Sequence, residues 1–262
     1  MSKEKSTKRK TIRRIILIVL AAVLILSSVI VGMCLFNERP ALQTVAAYQS
    51  AYCNTVLSIG DDGGVGILQL NEDAATGLIF YVGAQIKPDA YIPLLARIAE
   101  HGYACFIPSL PFNMAALEPS AADNIIPAHP EIRSWILAGH SMGGLTASGY
   151  ADDHRDSVDG LILLAAYTNR DMSDADLPVL AVIGDADGVM NKDLYDKRLV
   201  RNSADFEEHI LPGANHAQYG DYGEQPRDND AKIPAEEQQA QTVEIILDWL
   251  NRHFSEVKAN EQ

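Results

Sequence analysis

Short apolar runs alternate with segments of helical period over most of this chain, and this alternation constrains the fold more than any other feature. Each apolar run is only four to six residues long, whereas the segments between the runs place apolar residues three or four positions apart. Continuous apolar strands separated by helices are typical of a mainly parallel sheet buried on both faces. We therefore predict an α/β fold with a mainly parallel central sheet and helices on both faces.

Six apolar runs are predicted to be strands, and five segments are predicted to be helices. The strands are Gly77–Val82, Tyr103–Ile107, Trp135–Ala138, Leu161–Ala165, Val179–Ile183 and Phe206–Leu211. The helices are Asp89–His101, Ala121–Ala128, Met142–Asp153, Lys192–Val200 and Glu236–His253. Two further strand-like runs flank Asp61-Asp62-Gly63-Gly64, whose residue types favour a hairpin turn. An apolar fraction of 47% is enough for one full core, so we expect a single globular domain over residues 55–262.

The amino-terminal residues combine a basic cluster with a long uncharged segment. Residues 1–14 carry seven basic side chains and one acidic side chain, and no charge occurs from Ile15 to Phe36. These 22 residues would span about 33 Å as a helix, close to the hydrocarbon thickness of a bilayer. A cleaved signal peptide is the alternative, but its apolar region is usually only about 7–15 residues long. We predict a cytoplasmic basic tail at 1–14 and a transmembrane signal anchor at 15–36.

The basic cluster also predicts the topology of the chain. Positive residues beside a membrane span stay on the cytoplasmic side, so the rest of the chain is expected on the extracytoplasmic side of the cell membrane, as a single-pass protein. Pro40 ends the preceding helix, and residues 37–54 show no strong period. This segment is therefore predicted to be a tether between the anchor and the globular domain.

Charge and cysteine content exclude several classes of partner. The net charge of −14 divides into +6 on residues 1–14 and −20 on the rest of the chain, which repels nucleic acid and disfavours it as a partner. Three cysteines fit neither a disulfide framework nor a zinc motif, so we expect no cofactor and no metal. The acidic stretch through Asp228 and Asp230 is interpreted as a solvated loop rather than a calcium site. The oligomeric state is left open.

The motif Gly139-His140-Ser141-Met142-Gly143 follows one predicted strand and precedes a predicted helix. A serine nucleophile on such a tight turn needs small residues two positions to either side, and Gly139 and Gly143 meet this need. The amino terminus of the following helix also stabilises a developing oxyanion. We therefore predict that Ser141 is a nucleophile, and that His140 packs beneath the turn and orients neighbouring groups.

Acid and base candidates follow two later strands, at the carboxyl edge where functional residues of such sheets cluster. Of two acids after Val179–Ile183, Asp187 is favoured because it lies deeper in the loop and can turn back over the sheet edge. Asp185 is interpreted as a solvated turn residue. His216 follows the last strand, whereas the other histidines end helices, precede proline, lie in charged surroundings or belong to the serine turn. The chain order Ser, Asp, His matches a known triad order.

With these motifs, the chain resembles the α/β-hydrolase fold, and within it the dienelactone-hydrolase-like branch of small bacterial hydrolases, also called α/β-hydrolase family 5. The resemblance extends from about Ala75 to Phe254. Beyond the serine motif, it rests on three segments, Phe80–Ala84, Gly184–Val189 and the long and specific Gly213–Gly223. It implies the α/β-hydrolase fold for this part of the chain.

The resemblance also implies the chemistry of a serine hydrolase. It implies a triad of Ser141, Asp187 and His216, and an oxyanion site formed by the backbone N–H groups of Met142 and Ala84. Dienelactone hydrolases use a cysteine nucleophile, so their own reaction is not expected with serine at position 141. We expect a carboxylesterase-like hydrolase with a small-molecule ester substrate. Two alternatives stay open: an acyltransferase or peptidase that uses the same triad, and a non-catalytic surface binding protein.

Loop lengths predict the shape of the site. Many proteins of this fold insert a lid after the sixth strand, but only the 13 residues Ala166–Pro178 separate two predicted strands here. We expect no lid domain and an open, shallow site for small or externally presented acyl groups. Ser109–Asn113 and Tyr219–Tyr222 either line this site or pack against the body, since proline and tyrosine in loops commonly serve packing.

Overall fold

The computed structural model describes residues 2–36, 38–60, 64–69 and 74–259. They form two compact units, one ending at Glu38 and the other beginning at Arg39. Helix α1 (Ser2–Phe36) lies in the first unit and includes residues 2–14 of the predicted basic tail and the whole predicted anchor. Its side chains from Ile12 to Ser28 are exposed, and several later side chains of the predicted anchor lie outside the described residues. Within the described residues, no helix is both long and apolar enough to cross a membrane.

The described part of the second unit contains one eight-stranded sheet. Its strands are β1 (Thr55–Ile59), β2 (Val65–Gln69), β3 (Thr76–Tyr81), β4 (Ala104–Ile107), β5 (Ser134–His140), β6 (Gly160–Leu164), β7 (Val179–Gly184) and β8 (Phe206–Leu211). Their order in the sheet is β1-β2-β4-β3-β5-β6-β7-β8. Strands β3 to β8 run parallel to one another, whereas β2 pairs antiparallel with both β1 and β4. The six predicted parallel strands are therefore confirmed, and the residues Asp61, Asp62 and Gly63 of the predicted hairpin turn lie outside the described residues.

Helices cover both faces of the sheet. They are α2 (Val45–Ala51), α3 (Ile92–Ala99), α4 (Ala122–Ile125), α5 (Met142–Asp153), α6 (Lys192–Arg198) and α7 (Ala235–Ala259). From β3 through α3 the chain moves towards the β1 edge, and from β5 through α5 it moves towards the β8 edge. Because crossovers between parallel strands are right-handed, α3 and α5 lie on opposite faces, and α7 packs against α3. Every residue of β3 to β7 is consequently buried.

Residues 39–54 are packed against the sheet domain, which differs from the predicted tether. Thr44 caps helix α2, and Tyr48 of this helix is buried. The Tyr48 hydroxyl donates a 2.6 Å hydrogen bond to Asp221 Oδ2. The compact unit therefore begins at Arg39 rather than at residue 55. The sequence pattern missed this packing because α2 is only seven residues long and its polar partner is distant in the chain.

Candidate active site

Ser141 lies on a strained turn between β5 and α5. Its backbone angles are φ 55° and ψ −120°, a region that residues other than glycine rarely adopt. A Cβ atom on Gly143 would lie 2.0 Å from Tyr81 O, and one on Gly139 would lie 2.4 Å from the carbonyl carbon of Gly143. Both positions therefore require glycine, which agrees with the prediction that a serine on this turn needs small residues two positions to either side. The strain is held in place by the Ser141 N–H, which donates a 2.9 Å hydrogen bond to Leu164 O.

Asp187 and His216 form a buried pair. Asp187 Oδ2 lies 2.7 Å from His216 Nδ1, and each of the two side chains is only 2% exposed. The second oxygen of Asp187 accepts 2.8 Å hydrogen bonds from the backbone N–H groups of Val189 and Met190. These bonds fix the carboxylate while it faces the imidazole. Asp185 is exposed at the same strand end, and its Oδ1 accepts a hydrogen bond from Gly213 N at 2.6 Å, so it supports the turn before His216.

The second ring nitrogen of His216 has no hydrogen-bond partner in the described part of the chain. Nε2 is buried and makes no hydrogen bond to any described residue, so no hydrogen bond joins it to the Ser141 hydroxyl in this structure. The pair is nevertheless close to the serine turn, because His140 Nε2 lies 3.0 Å from His216 O. Hydrogen bonds of catalytic groups are often long or absent before substrate binds. The structure thus brings Ser141, Asp187 and His216 to one edge of the sheet.

The loop after β3 lies against the start of α5. A Cβ atom on Gly143 would lie 2.5 Å from Val82 O, so this loop begins in contact with the serine turn. It continues as a tight turn closed by a 3.2 Å hydrogen bond from Ile86 N to Gly83 O. Met142 directly follows Ser141, Ala84 lies in the loop that begins against the serine turn, and neither N–H bonds to a backbone acceptor in the described loops and turns.

His140 connects this loop to His216. Its Nε2 donates to a carbonyl, so the proton is on Nε2. The pKa of His140 lies well below its ordinary value, mainly because the ring is buried and secondly because of the charge of nearby His216. The ring therefore stays neutral. Nδ1 then accepts a 2.8 Å hydrogen bond from the Tyr91 hydroxyl, which accepts in turn from Gly83 N at 3.1 Å. The expectation that His140 packs beneath the turn and orients its neighbours agrees with this chain of bonds.

Two residues that the sequence reasoning missed hold the loop around His216. Asp228 Oδ2 accepts from Ala217 N at 2.8 Å, and its Oδ1 accepts from Gly188 N at 3.0 Å. The interpretation of this stretch as a solvated loop is therefore wrong for Asp228, which ties the loop of the acid to the loop of the base. The amide of Gln238 exchanges two hydrogen bonds with the backbone of Asn215, at 3.0 and 2.9 Å. No local signal marks either residue, because both act through distant backbone groups.

The two segments predicted either to line the site or to pack have different roles. Tyr219 and Tyr222 are buried, and the Tyr219 hydroxyl donates to Val182 O at 3.1 Å, so both tyrosines serve packing. The pKa of Tyr219 lies well above its ordinary value, mainly because the side chain is buried and secondly because of the negative charge of Asp187. Phe112 is 40% exposed, and its neighbour Asn113 accepts a hydrogen bond from the loop after β3. In the described part of the chain, no cluster of His, Cys, Asp or Glu is arranged to hold a metal.

Comparison with known proteins identifies the family. The model of the alpha/beta hydrolase family matches residues 77–240, more than half of the chain. The solved structure of a predicted CIB-like hydrolase from Thermoplasma acidophilum has a TM-score of 0.54 and 16% sequence identity, over 73% of this chain and 98% of that chain. This likeness supports the fold alone. A search of curated proteins gives no match.

These findings confirm the predicted fold and the resemblance behind it. The family match includes the serine turn, the acid loop and the histidine loop, and the sheet has the mainly parallel order expected of such proteins. The chain belongs to the alpha/beta hydrolase family.

Proposed function

We propose that this hydrolase cleaves small carboxylic esters, with Ser141 as nucleophile, His216 as base and Asp187 as the acid that orients the base. The observation that carries the proposal is the buried pair of Asp187 and His216, in which the outer ring nitrogen of His216 has no hydrogen-bond partner among the described residues. Beside it, a strained turn presents the serine. A serine, a base and an orienting acid, in this order along the chain, are the parts that acyl transfer needs.

The base activates the serine in the first step. A serine hydroxyl is a poor nucleophile at neutral pH, so His216 Nε2 accepts its proton as Oγ attacks the ester carbonyl. Asp187 keeps the other proton on Nδ1, which leaves Nε2 free to accept, and it stabilises the imidazolium that forms. His216 then donates the proton to the leaving alcohol. Water hydrolyses the acyl-enzyme by the same route.

The backbone stabilises the negative charge that develops on the carbonyl oxygen. Ala84 N–H and Met142 N–H are the donors that we assign to this role, since Met142 directly follows Ser141, the loop of Ala84 begins against the serine turn, and neither N–H bonds to a backbone acceptor in the described loops and turns. Fixed donors of this kind contribute on the order of 3 kcal/mol each to transition-state stabilisation.

The connections around the site favour small or externally presented acyl groups. The chain between β6 and β7 contains no helix, so no helical lid covers the serine turn from this connection. The connection from the tight turn after β3 to α3 is also short. An open site binds short acyl groups without the interfacial opening that long-chain lipolysis requires.

We further propose that the hydrolase body is held at the extracytoplasmic face of a cell membrane. This proposal rests on the sequence alone, namely on the uncharged residues 15–36 and the basic cluster before them. Fractionation of cells, followed by protease treatment of intact cells, tests it. Release of the body by protease from intact cells supports the proposal, and recovery in the soluble cytoplasmic fraction contradicts it.

Replacement of the nucleophile tests the catalytic proposal. In the full-length chain, Ser141→Ala should abolish hydrolysis of p-nitrophenyl butyrate while the thermal unfolding transition is retained. Ser173→Ala is the matched control, because this exposed serine bonds only to Asp171 among the described residues, and it should keep wild-type activity. Full activity in pure Ser141→Ala would overturn the assignment.

A further inference from the structure

Arg39 joins the two loops that carry the proposed catalytic groups, although it precedes every strand of the sheet. Its backbone forms a parallel bridge with Ile86 in the loop after β3. Arg39 N–H donates to Gln85 O at 2.7 Å, and Arg39 O accepts from Lys87 N at 3.0 Å. The segment that directly follows the predicted anchor in sequence therefore runs beside the proposed oxyanion loop.

The turn held by Arg39 has a strained residue next to the proposed oxyanion donor. Gln85 has φ 61°, a left-handed conformation that costs about 1–2 kcal/mol for residues other than glycine. Such a residue persists only where its surroundings hold it. Two backbone hydrogen bonds do so, from Arg39 N to Gln85 O at 2.7 Å and from Gln85 N to Asn113 O at 2.8 Å. The two bonds hold the peptides on either side of Gln85, one through its N–H and the other through its C=O, and so fix the turn that follows Ala84.

The side chain of Arg39 reaches the other loop. Its Nη1 donates to Gln225 Oε1 at 2.7 Å, and Gln225 Oε1 also accepts from the Tyr222 hydroxyl at 3.0 Å. The guanidinium lies 5.9 Å from the centre of the Tyr222 ring. This loop starts at His216, and Leu42 N–H adds a 2.8 Å hydrogen bond to Asp221 O within it. One residue thus contacts the loop of the base and the loop of the oxyanion donor.

We propose that Arg39 is a positioning residue of the active site: its backbone holds the Ala84–Gln85 turn in the conformation that aims Ala84 N–H at the oxyanion, and its side chain holds the loop after His216. The inference rests on the proposed esterase function. It makes the segment between the proposed anchor and the sheet domain part of the catalytic apparatus rather than a spacer.

Three variants of the full-length chain separate the two contacts of Arg39. Arg39→Ala removes the bonds of the side chain, and Arg39→Pro also removes the N–H that donates to Gln85 O. Gln85→Gly, combined with Arg39→Pro, removes the strain that the bond opposes, because glycine adopts positive φ readily. The control is Arg252→Ala, which loses one positive charge and ion pairs to Glu207 and Asp248 on a remote surface.

The expected result is a loss in kcat rather than in substrate binding. With p-nitrophenyl butyrate, Arg39→Pro should lower kcat about tenfold, less than the roughly 10²–10³-fold lost when an oxyanion donor is removed outright. KM should stay near the wild-type value, the inhibition constant of a trifluoromethyl ketone should rise in parallel, and Gln85→Gly should restore much of kcat. Arg39→Ala should have a smaller effect, and Arg252→Ala none. Wild-type kcat in Arg39→Pro, or a loss that Gln85→Gly leaves unchanged, would overturn the proposal.

Hydrogen exchange tests without any substrate whether Arg39 holds this turn, because the Gln85 amide bonds to Asn113 O and is exposed when the turn loosens. In Arg39→Pro, the Gln85 amide should exchange faster than in the wild type, while amides in β5 keep their protection. If the wild type hydrolyses no ester, the proposed function fails, but the exchange measurement still tests Arg39. Unchanged exchange at Gln85 would then overturn the positioning role.

Discussion

Asp187→Asn tests the orientation of the proposed base, and the structure gives the size of the effect. The carboxylate accepts three hydrogen bonds: two from backbone N–H groups on Oδ1 and one from His216 Nδ1 on Oδ2. An asparagine keeps the two backbone bonds only if its Oδ1 stays in place. Its NH₂ group then faces His216 Nδ1 and donates to it, which forces the imidazole proton onto Nε2. In this tautomer His216 cannot accept the proton of Ser141.

The competent tautomer needs a flipped amide. The flip turns the NH₂ group towards the two backbone N–H donors, in a pair whose side chains are only 2% exposed. Each buried donor left without an acceptor costs about 1–3 kcal/mol, so the flip costs about 4 kcal/mol in total. This cost corresponds to roughly a 10³-fold drop in kcat. KM should change little, because the substituted atom contacts the imidazole and not the ester.

Steady-state hydrolysis of p-nitrophenyl butyrate measures this loss, with Asp185→Asn as the matched control. Asp185 carries the same charge at the same strand end, but its Oδ1 serves the Gly213 turn, and asparagine keeps that acceptor. The control should therefore hydrolyse the ester at a near wild-type rate. A kcat for Asp187→Asn within roughly tenfold of wild type, or a larger loss in Asp185→Asn, would refute the reasoning.

Four further outcomes follow from the structure. Gly143→Ala should lower the free energy of unfolding in urea by about 3 kcal/mol or prevent folding, because the new methyl group meets Tyr81 O at 2.0 Å; unchanged stability would contradict this. Burial holds the pKa of His140 well below 6.5. Below about pH 6.5 the unfolded chain therefore binds a proton at this histidine that the folded chain does not. As the pH falls further, this group lowers the free energy of unfolding by up to about 1.4 kcal/mol per pH unit. Urea unfolding of His140→Asn should lack this part of the pH dependence, and an unchanged slope would refute the neutral state. Acetyl and butyryl esters should give higher kcat/KM than long-chain esters, and the opposite order would contradict an open site. Neutral or cationic esters should react faster than anionic ones at low salt, with the difference shrinking as salt is added.

The sequence predicted the sheet well because each central strand is apolar on both faces. Its pattern underestimated β5, which continues to His140. The histidine is polar, yet it is buried there because Tyr91 and the carbonyl of His216 satisfy its two nitrogens from 49 and 76 residues away. Partners this distant leave no trace in a local pattern. The same reason explains why Asp228 was taken for a solvated residue.

The candidate site was predictable where a short motif carries its own geometry. The glycines around Ser141 are required by contacts within a few residues and with the adjacent strand, so the motif indicates the turn directly. The choice between Asp187 and Asp185 followed from position in the loop, and the structure places Asp187 against the imidazole. The contacts Tyr48–Asp221 and Arg39–Gln225 were not predictable from the sequence, because the two residues of each pair are 173 and 186 positions apart in the chain.

Fluorophosphonate labelling of the folded full-length chain tests the central claim most directly. This reagent reacts with a serine only where a base and an oxyanion site activate it. We predict a single adduct on the peptide that contains Ser141, absent in Ser141→Ala and formed much more slowly in His216→Gln. A folded wild-type protein that stays unlabelled, or that is labelled equally in Ser141→Ala, would contradict the account.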